Sequence, residues 1–351
     1  MTDKSVWDKE VPVPARTIEY VDKGVIEKLP PGTKILGISP SGASYWARTA
    51  KIDATDEEGE PTPFFIKVHQ FEHGKNMVSA EFYAMTLLHN AAPELVAEPL
   101  GWGQYAEEPD TYFFICRFHE LSDGIPSVNE FPKLVAEFHK RGKSKTGEFG
   151  FPITMYGGRN PQTFPLSSTW EECFSQGLEK IFDMEEETHG PDEELRQLRE
   201  GLMTKVIPRL LRPLETEGRT LVPTLVHGDL WDGNASVDVT TGHPMFFDAT
   251  PLYAHHEYEM GPWWPLRHKM THAYIAEYRK YYDASAPAED FESRGALYAL
   301  RFDLHASSLY PGNLRHRMLV MDTMRDLLKK YPLGYEGYLL EKGIDPATVN
   351  V

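Results

Sequence analysis

The chain has 351 residues, of which 41% are hydrophobic and 25% are charged, a composition typical of a folded globular protein and not of a disordered or fibrous one. Its 36 basic and 53 acidic residues give a formal net charge of −17, which disfavours nucleic acid as a partner because the protein repels polyanions. The sequence has no apolar run of membrane-spanning length, and its first ten residues lack the pattern of a secretory signal. We therefore expect a cytoplasmic protein with no membrane partner.

The first third of the chain predicts strands separated by turns, with one helix among them. The helix carries Met77, Ala80, Ala84 and Leu88 on one face at three- and four-residue spacing, and Glu81 lies beside this apolar stripe. The predicted strands are short segments rich in β-branched or aromatic residues, at 33–39, 45–52, 63–69 and 112–118.

Past residue 120 the pattern changes to helices. One is predicted over 128–141, and another opens at Pro191-Asp192, where a proline in the first turn and nearby acids suit a helix N-terminus. The sequence therefore predicts an α+β protein with a first lobe over 1–120 and a second, mainly helical lobe over 121–351.

The motif that points most strongly to chemistry is His-Gly-Asp-Leu-Trp-Asp-Gly-Asn over 227–234. Asp229 and Asn234 are five residues apart, which is the Asp-to-Asn spacing of a kinase catalytic loop, and Asp248 follows a short apolar segment as a metal-binding aspartate would. Phosphoryl transfer needs an acceptor for the substrate proton and oxygen ligands for Mg²⁺. Asp229 is the candidate base, and Asn234 and Asp248 are the candidate metal ligands. The alternative is that these residues only cap turns.

A positive charge for the nucleotide phosphates is the third requirement, and Lys67 in the strand-like segment 64–68 can supply it. An ion pair with Glu81, fourteen residues later on the predicted helix, would fix the position of the lysine. An isolated strand lysine usually faces solvent, but its place in the chain before the Asp229 motif favours the functional interpretation.

A loop between the first two predicted strands contains Ser41, Gly42 and Ala43. Its backbone amides could approach the phosphates because small side chains and one glycine allow close contact. A plain hairpin turn explains the same residues. Other chemistries fit less well: the P-loop sequence is absent, and His255-His256-Glu257 lacks the spacing of a helical zinc site.

With these motifs assembled, the sequence resembles the fructosamine 3-kinase family, also called ketosamine or ribulosamine kinases, within the kinases that resemble aminoglycoside phosphotransferases. The resemblance rests on Trp170 and five segments: 149–154, 161–162, 227–234, 247–249 and 253–259. It implies a protein-kinase-like two-lobed fold, with nucleotide binding in the first lobe and catalysis and substrate binding in the second.

The resemblance also implies the reaction. ATP and Mg²⁺ would be required, and phosphate would pass to the 3-hydroxyl of a ketosamine, either a small molecule or a glycated protein. The same resemblance assigns the base to Asp229, the metal ligands to Asn234 and Asp248, and the ATP lysine to Lys67. It places the adenine-binding hinge near Arg117, Phe118 and His119.

Residues after the metal aspartate are predicted to line the acceptor pocket. The chain departs from the family pattern over 260–268, where it has two adjacent tryptophans. Acids could bind a polyol or a protonated amine, and an aromatic face could stack on a sugar or cation. These candidates are His256, Glu257, Glu259, Trp263 and Trp264. The tryptophans could equally be core anchors.

Two rival functions stay open at this point. One is a kinase of another small alcohol or amino sugar, as in aminoglycoside or choline kinases. The other is a pseudokinase that binds nucleotide without turnover, which the presence of Lys67, Asp229, Asn234 and Asp248 argues against.

Overall fold

The computed structural model describes residues 13–42, 44 and 46–348. They form two compact units, the first comprising the described residues up to 126 together with 235–249, and the second comprising residues 127–234 and 250–348. The first unit is built on an antiparallel sheet, and the second is mainly helical. The α+β composition predicted for the two parts of the chain is therefore present.

The first unit contains a five-stranded sheet in the order β1-β2-β3-β5-β4, with every neighbouring pair antiparallel. One long helix packs on β3, β4 and β5. The elements of the sheet and its helices are β1 (Lys34–Pro40), β2 (Arg48–Thr55), β3 (Phe64–Gln70), β4 (Pro99–Gln104), β5 (Thr111–Arg117), a 3₁₀ turn (Ala15–Ile18), α1 (Lys23–Ile26) and α2 (Phe71–Ala91).

Alternating side chains of the strands build the core of this unit. Residues two apart share one face of a strand, and Phe64, Ile66 and Val68 of β3 accordingly join Phe113 and Ile115 of β5 in one buried apolar cluster. The predicted strands and helix are confirmed, although β2 lies three residues later than predicted. The sequence analysis did not predict β4.

A short hairpin from much later in the chain completes the first unit. It consists of β9 (Ala235–Val237) and β10 (Pro244–Phe246). Three backbone hydrogen bonds attach it: Ser122 donates to Val237, Val239 to Glu120, and Phe246 to Leu95, at 2.7–3.0 Å. The boundary at residue 120 in the sequence analysis therefore differs from the observed division, because backbone pairing joins 235–249 to the first unit.

The second unit packs its helices around a core rich in aromatic residues, including Trp170, Tyr258 and Tyr298. Asp192 caps α5 by accepting a hydrogen bond from the Leu195 amide at 2.9 Å, as the predicted helix start requires. The helices are α3 (Phe131–Arg141), α4 (Trp170–His189), α5 (Glu193–Gly201), α6 (Ile207–Leu211), α7 (His272–Tyr278), α8 (Phe291–Leu309), α9 (Arg315–Lys330) and α10 (Gly334–Glu341).

Shorter elements complete the second unit. Strand pairs are β6 (Met155–Gly157) with β7 (Asn160–Gln162), and β8 (Thr224–Val226) with β11 (Leu252–Ala254). A π-helical turn covers Leu202–Val206, and 3₁₀ segments cover Arg212–Glu215, His256–Trp263, Ala288–Asp290 and Pro346–Thr348. Within the described ranges, the helices are too short or too polar to cross a membrane.

Candidate active site

In the first unit, one lysine bridges two carboxylates. The Lys67 ammonium on β3 lies 2.7 Å from Glu81 Oε1 on α2 and 2.6 Å from Asp248 Oδ1. Lys67 alternates with the buried Ile66 and Val68, so the strand directs its side chain to the opposite face. The ion pair between Lys67 and Glu81 that the sequence analysis anticipated is therefore present, and Asp248 joins it.

The charges of this trio are strongly coupled. Burial lowers the pKa of Lys67, but the carboxylates of Asp248 and Glu81 outweigh this effect and raise the pKa above its ordinary value. Burial raises the pKa of Glu81, with Lys67 acting in the opposite direction. Lys67 is thus held as a cation, as an ammonium that binds phosphate must be.

Asp248 follows β10 and adopts a left-handed backbone conformation, with φ of +54°. Asp and Asn tolerate this region better than most other side chains. The side chain of Asp248 is about half exposed, at 54%, and its carboxylate is an oxygen donor of the type that Mg²⁺ prefers.

The predicted phosphate loop connects β1 to β2. Ser41 donates its amide to the Thr49 carbonyl at 3.1 Å, and Gly42 has φ of +79°. Ala43 lies outside the described residues. The Ser41 amide thus extends the pairing of the two strands by one hydrogen bond, and a phosphate-binding role for the loop stays a prediction.

The predicted hinge follows β5. The Arg117 guanidinium binds Glu98 at 3.1 Å, and the Phe118 amide donates to the Pro63 carbonyl at 3.2 Å. His119 Nδ1 lies 2.6 Å from Asp238 Oδ2. The Arg117 and His119 side chains therefore have protein partners, so adenine recognition here would fall to the backbone.

In the second unit, β8 leads directly into the loop over 227–234. Asn234 Nδ2 donates to the Asp229 carbonyl at 2.9 Å and to Asp229 Oδ2 at 3.0 Å. Because the amide nitrogen makes both bonds, the carbonyl oxygen of Asn234 is the atom suited to a cation. The predicted base and the predicted amide ligand are thus neighbours in the fold, linked by a direct hydrogen bond.

Gly228 allows the backbone to turn just before Asp229. Its φ is +80°, and an added Cβ would lie 2.1 Å from the Thr250 carbonyl oxygen. We expect Gly228→Ala to lower the free energy of unfolding by about 3 kcal/mol, from left-handed strain plus this overlap. Thermal unfolding is the measurement.

Gly242→Ala is the matched control for that substitution. Gly242 also has a left-handed backbone, with φ of +72°, but no atom lies within 4 Å of its added Cβ. The Gly242→Ala variant should therefore lose only about 1 kcal/mol of unfolding free energy. Equal losses for the two variants would show that the contact with Thr250 is unimportant.

Glu259 is a functional side chain whose role the sequence analysis misassigned. It is fully buried, and it accepts the backbone amides of His227 at 2.5 Å and Gly228 at 3.0 Å. Burial raises the pKa of Glu259, but hydrogen bonding by His139 and the His227 amide outweighs it and lowers the pKa below its ordinary value. An ionised carboxylate therefore holds the backbone just before Asp229 instead of lining an acceptor pocket.

Glu257 and His256 also have structural partners. Glu257 is buried and forms a bidentate pair with Arg294, at 2.7 and 2.9 Å. His256 is buried and stacks on Tyr282 with ring centroids 3.9 Å apart. These partners give Glu257 and His256 structural roles, which corrects the prediction that both residues contact the substrate. His255, His256 and Glu257 could offer three metal-ligand atoms within 4.8 Å, but Arg294 already neutralises the carboxylate.

The two tryptophans differ in their surroundings. Trp263 is fully buried and donates its indole N–H to the Leu230 carbonyl at 2.7 Å, so it is a core anchor. Trp264 is only partly buried and packs against His272 and Phe291. It lines a cavity of about 510 Å³ with Arg279, Glu289 and Glu292. Of the five predicted acceptor contacts, Trp264 lines this cavity, and His256 lines a second one of about 310 Å³, where its ring is hydrogen-bonded to Tyr278.

A comparison with protein families decides the assignment. The family model described as fructosamine kinase matches residues 47–330 of the chain. The chain belongs to the fructosamine kinase family. The matched region includes Lys67, Glu81, Asp229, Asn234 and Asp248, and the predicted family and its activity, that of an ATP-dependent phosphotransferase, are confirmed.

Individual relatives agree with this assignment. The chloroplastic protein-ribulosamine 3-kinase of Oryza sativa subsp. japonica is 27% identical over 300 residues, which cover 85% of this chain and 81% of the relative. A putative fructosamine-3-kinase from Thermobifida fusca has a similar crystal structure, with a TM-score of 0.65, 18% identity and coverage of 85% of this chain and 95% of that one.

A more distant fold likeness extends to aminoglycoside phosphotransferases. A thermostable mutant of APH(4)-Ia in ternary complex with AMP-PNP and hygromycin B gives a TM-score of 0.52 at 15% identity, over 84% of this chain and 94% of that one. At these identities the likeness concerns the fold alone, and it confirms the predicted kinase-like fold of this fructosamine kinase family member.

Proposed function

We propose that this member of the fructosamine kinase family transfers the γ-phosphate of ATP to the 3-hydroxyl of a ketosamine, with Asp229 as the general base. The observation that carries the proposal is the pairing of Asp229 with Asn234 in a loop held by Glu259, within a chain whose match to the family model spans Lys67, Asp229, Asn234 and Asp248.

The nucleotide would be bound through the first unit. Lys67, kept cationic by Glu81 and Asp248, has the charge and position on a strand that a phosphate-binding lysine requires. Ser41, Gly42 and Ala43 would add backbone amides, and the backbone near Phe118 would bind adenine.

The donor set suits Mg²⁺. Asp248 offers a carboxylate oxygen and Asn234 an amide oxygen, both hard ligands, and these two residues are the proposed metal ligands. Bound Mg²⁺ would neutralise charge on the phosphates during transfer.

Asp229 would accept the proton of the attacking hydroxyl. Asn234 Nδ2 donates to Oδ2 of this carboxylate, and the carboxylate group of Asp229 is the proposed proton acceptor. Asn234 Nδ2 binds both the backbone carbonyl and the carboxylate of Asp229. These two bonds restrict the rotamers of Asp229, and such positioning of the base contributes to catalysis.

The proposed acceptor is a ketosamine, supported by the family and by the name of the rice relative, a protein-ribulosamine 3-kinase. Trp264, at the cavity with Glu289 and Glu292, is the proposed residue for contact with the sugar or amine. We also propose that the protein acts in the cytoplasm and that protein-bound adducts are among its substrates.

A phosphate-transfer assay tests this proposal directly. Purified protein with MgATP should phosphorylate at least one of a ribulosamine and a fructosamine, and NMR of the product should place the phosphate on O3. Aminoglycosides, choline and free sugars serve as the comparison set. Phosphorylation of those compounds but of no ketosamine would replace the acceptor and keep the mechanism, whereas nucleotide binding with no transfer would indicate a pseudokinase.

A further inference from the structure

A continuous chain of hydrogen-bonded side chains runs through the interior of the second unit and ends on Glu259. Seven hydrogen bonds of 2.7–3.3 Å connect it. Its members, in order, are Trp170, Tyr298, His255, Ser285, His256, Tyr278, His139 and Glu259. Except for Ser285, which is partly exposed, these residues are buried.

The two ends of the chain give it a single direction. The indole N–H of Trp170 can only donate, and the ionised carboxylate of Glu259 can only accept. Every member between them has one hydrogen to donate and at least one lone pair to accept with, provided that the three imidazoles are neutral. Burial lowers the pKa of all three histidines, which favours the neutral form.

The donor and acceptor roles, taken in order from Glu259, assign the tautomers of His139 and His256. His139 Nε2 is 3.2 Å from Glu259 Oε2 and must carry the proton, so His139 Nδ1 accepts from the Tyr278 hydroxyl at 2.7 Å. Tyr278 then accepts from His256 Nδ1 at 3.1 Å. His139 is therefore the Nε2–H tautomer and His256 the Nδ1–H tautomer.

The remaining bonds close the chain without an unpaired group. His256 Nε2 accepts from the Ser285 hydroxyl at 3.3 Å, and Ser285 accepts from His255 Nε2 at 2.8 Å. His255 Nδ1 accepts from the Tyr298 hydroxyl at 2.8 Å, which itself accepts from Trp170. The assignment from the Trp170 end agrees with that from Glu259.

We propose that this directional chain positions the catalytic loop by holding Glu259 on the amides of His227 and Gly228. Its members are positioning residues, because they act through Glu259 and the backbone next to Asp229 without touching the reacting atoms. The inference rests on the proposed function for its kinetic consequence, whereas its tautomer assignment rests on the hydrogen-bond geometry together with neutral imidazoles and an ionised Glu259.

We expect Glu259 to be most affected by loss of the hydrogen bond between the Tyr278 hydroxyl and His139. Removing the Tyr278 hydroxyl leaves His139 Nδ1 free to bind a proton beside the Glu259 carboxylate. A protonated His139 would attract Glu259 more strongly and weaken its hold on the His227 amide. Glu259 favours this protonation, and Lys143 and any charge on His256 or His227 oppose it.

The first test needs no variant and no substrate. Nitrogen-15 NMR of the intact wild-type protein near pH 7 should find neutral Nε2–H tautomers for His139 and His255 and a neutral Nδ1–H tautomer for His256. Any other tautomer at one of these positions, or a charged ring, breaks the chain and overturns the proposal, whatever the substrate proves to be.

The second test compares two tyrosines. Tyr278→Phe should lower kcat at pH 7 about fivefold, corresponding to the loss of one hydrogen bond, and should move the acid limb of the kcat profile to higher pH, with KM for ATP unchanged. Tyr282→Phe is the control, because Tyr282 stacks on His256 but its hydroxyl binds Lys143 outside the chain.

Thermal unfolding of both variants shows whether a change in kcat comes from a general loss of stability or from altered positioning of the loop. The expected result is an acid-limb shift for Tyr278→Phe alone. If the two variants have the same pH profile, the chain does not position the loop and the proposal is wrong. Failure of all ketosamines as substrates would affect the proposed function but would leave the NMR test intact.

Discussion

Asp229→Asn should reduce phosphate transfer to a ketosamine by roughly a hundredfold or more, the usual contribution of a general base. The substitution keeps the size of the side chain, and its amide oxygen can still accept the hydrogen bond that Asn234 Nδ2 now gives to Asp229 Oδ2. What it removes is the ability to take a proton. Steady-state kcat and calorimetric ATP binding are the measurements, and ATP binding should be retained.

Asp232→Asn is the matched control for this substitution. Asp232 lies three residues further along the same loop and loses the same charge, but its carboxylate binds His268 and the Lys269 amide at 2.9 and 3.1 Å. The Asp232→Asn variant should retain most of the phosphate-transfer activity. Near-normal turnover by the Asp229 variant would exclude Asp229 as the base.

Lys67→Met should lower kcat/KM for MgATP by roughly ten- to a hundredfold, the effect of losing one hydrogen bond to a charged group. The side chain keeps its length and apolar stem but loses the ammonium proposed to bind the phosphates. Lys34→Met is the control, since Lys34 is an exposed lysine on β1 of the same sheet. A variant at Lys67 that binds and uses MgATP normally would contradict the nucleotide assignment.

The same variant should show a pH-dependent loss of stability. Without Lys67, the partly buried Glu81 loses the ammonium that now lies between it and Asp248, so its pKa, already raised, should rise further. A carboxyl whose pKa is raised by folding binds its proton more tightly in the folded state, so stability falls as pH rises through that pKa. The melting temperature should therefore be lower at pH 8 than at pH 5.

Adding Glu81→Gln to Lys67→Met provides the internal control. The neutral amide removes the titrating group, so the melting temperature should no longer fall between pH 5 and pH 8, while ATP use should stay impaired. A persisting pH dependence in the double variant would assign it to groups other than Glu81.

Local sequence patterns predicted the part of the site that lies on regular elements. Enrichment in β-branched and aromatic residues predicted β3, and a spacing of three and four residues predicted α2. The ion pair between Lys67 and Glu81 joins these two elements. By contrast, β4 contains Gly101 and Gly103, which weaken a strand signal. An added Cβ at Gly103 would lie 3.2 Å from the Phe113 ring, so packing against β5 favours glycine there, which a local pattern does not reveal.

The roles of Glu259 and Trp263 could not be read from the sequence for a related reason. An acid near an active-site motif suggests a ligand contact, whereas the burial of Glu259 and its two backbone partners depend on how the 3₁₀ segment His256–Trp263 packs on the loop before Asp229. The available signal was an isolated acid, Glu259, between large apolar residues, a setting where a buried carboxylate must have fixed partners.

The hairpin of β9 and β10 makes the first unit discontinuous along the chain, and this limits how the protein can be divided. A fragment ending at Pro126 would lack the strands that pair with Leu95, Glu120 and Ser122, and it would also lack Asp248. No single uninterrupted stretch shorter than about residues 13–249 contains the whole sheet unit. Separate production of the two units would therefore require grafting 235–249 onto the first and a short linker between Asn234 and Thr250 in the second, because cutting the chain at any one peptide bond leaves at least one unit incomplete.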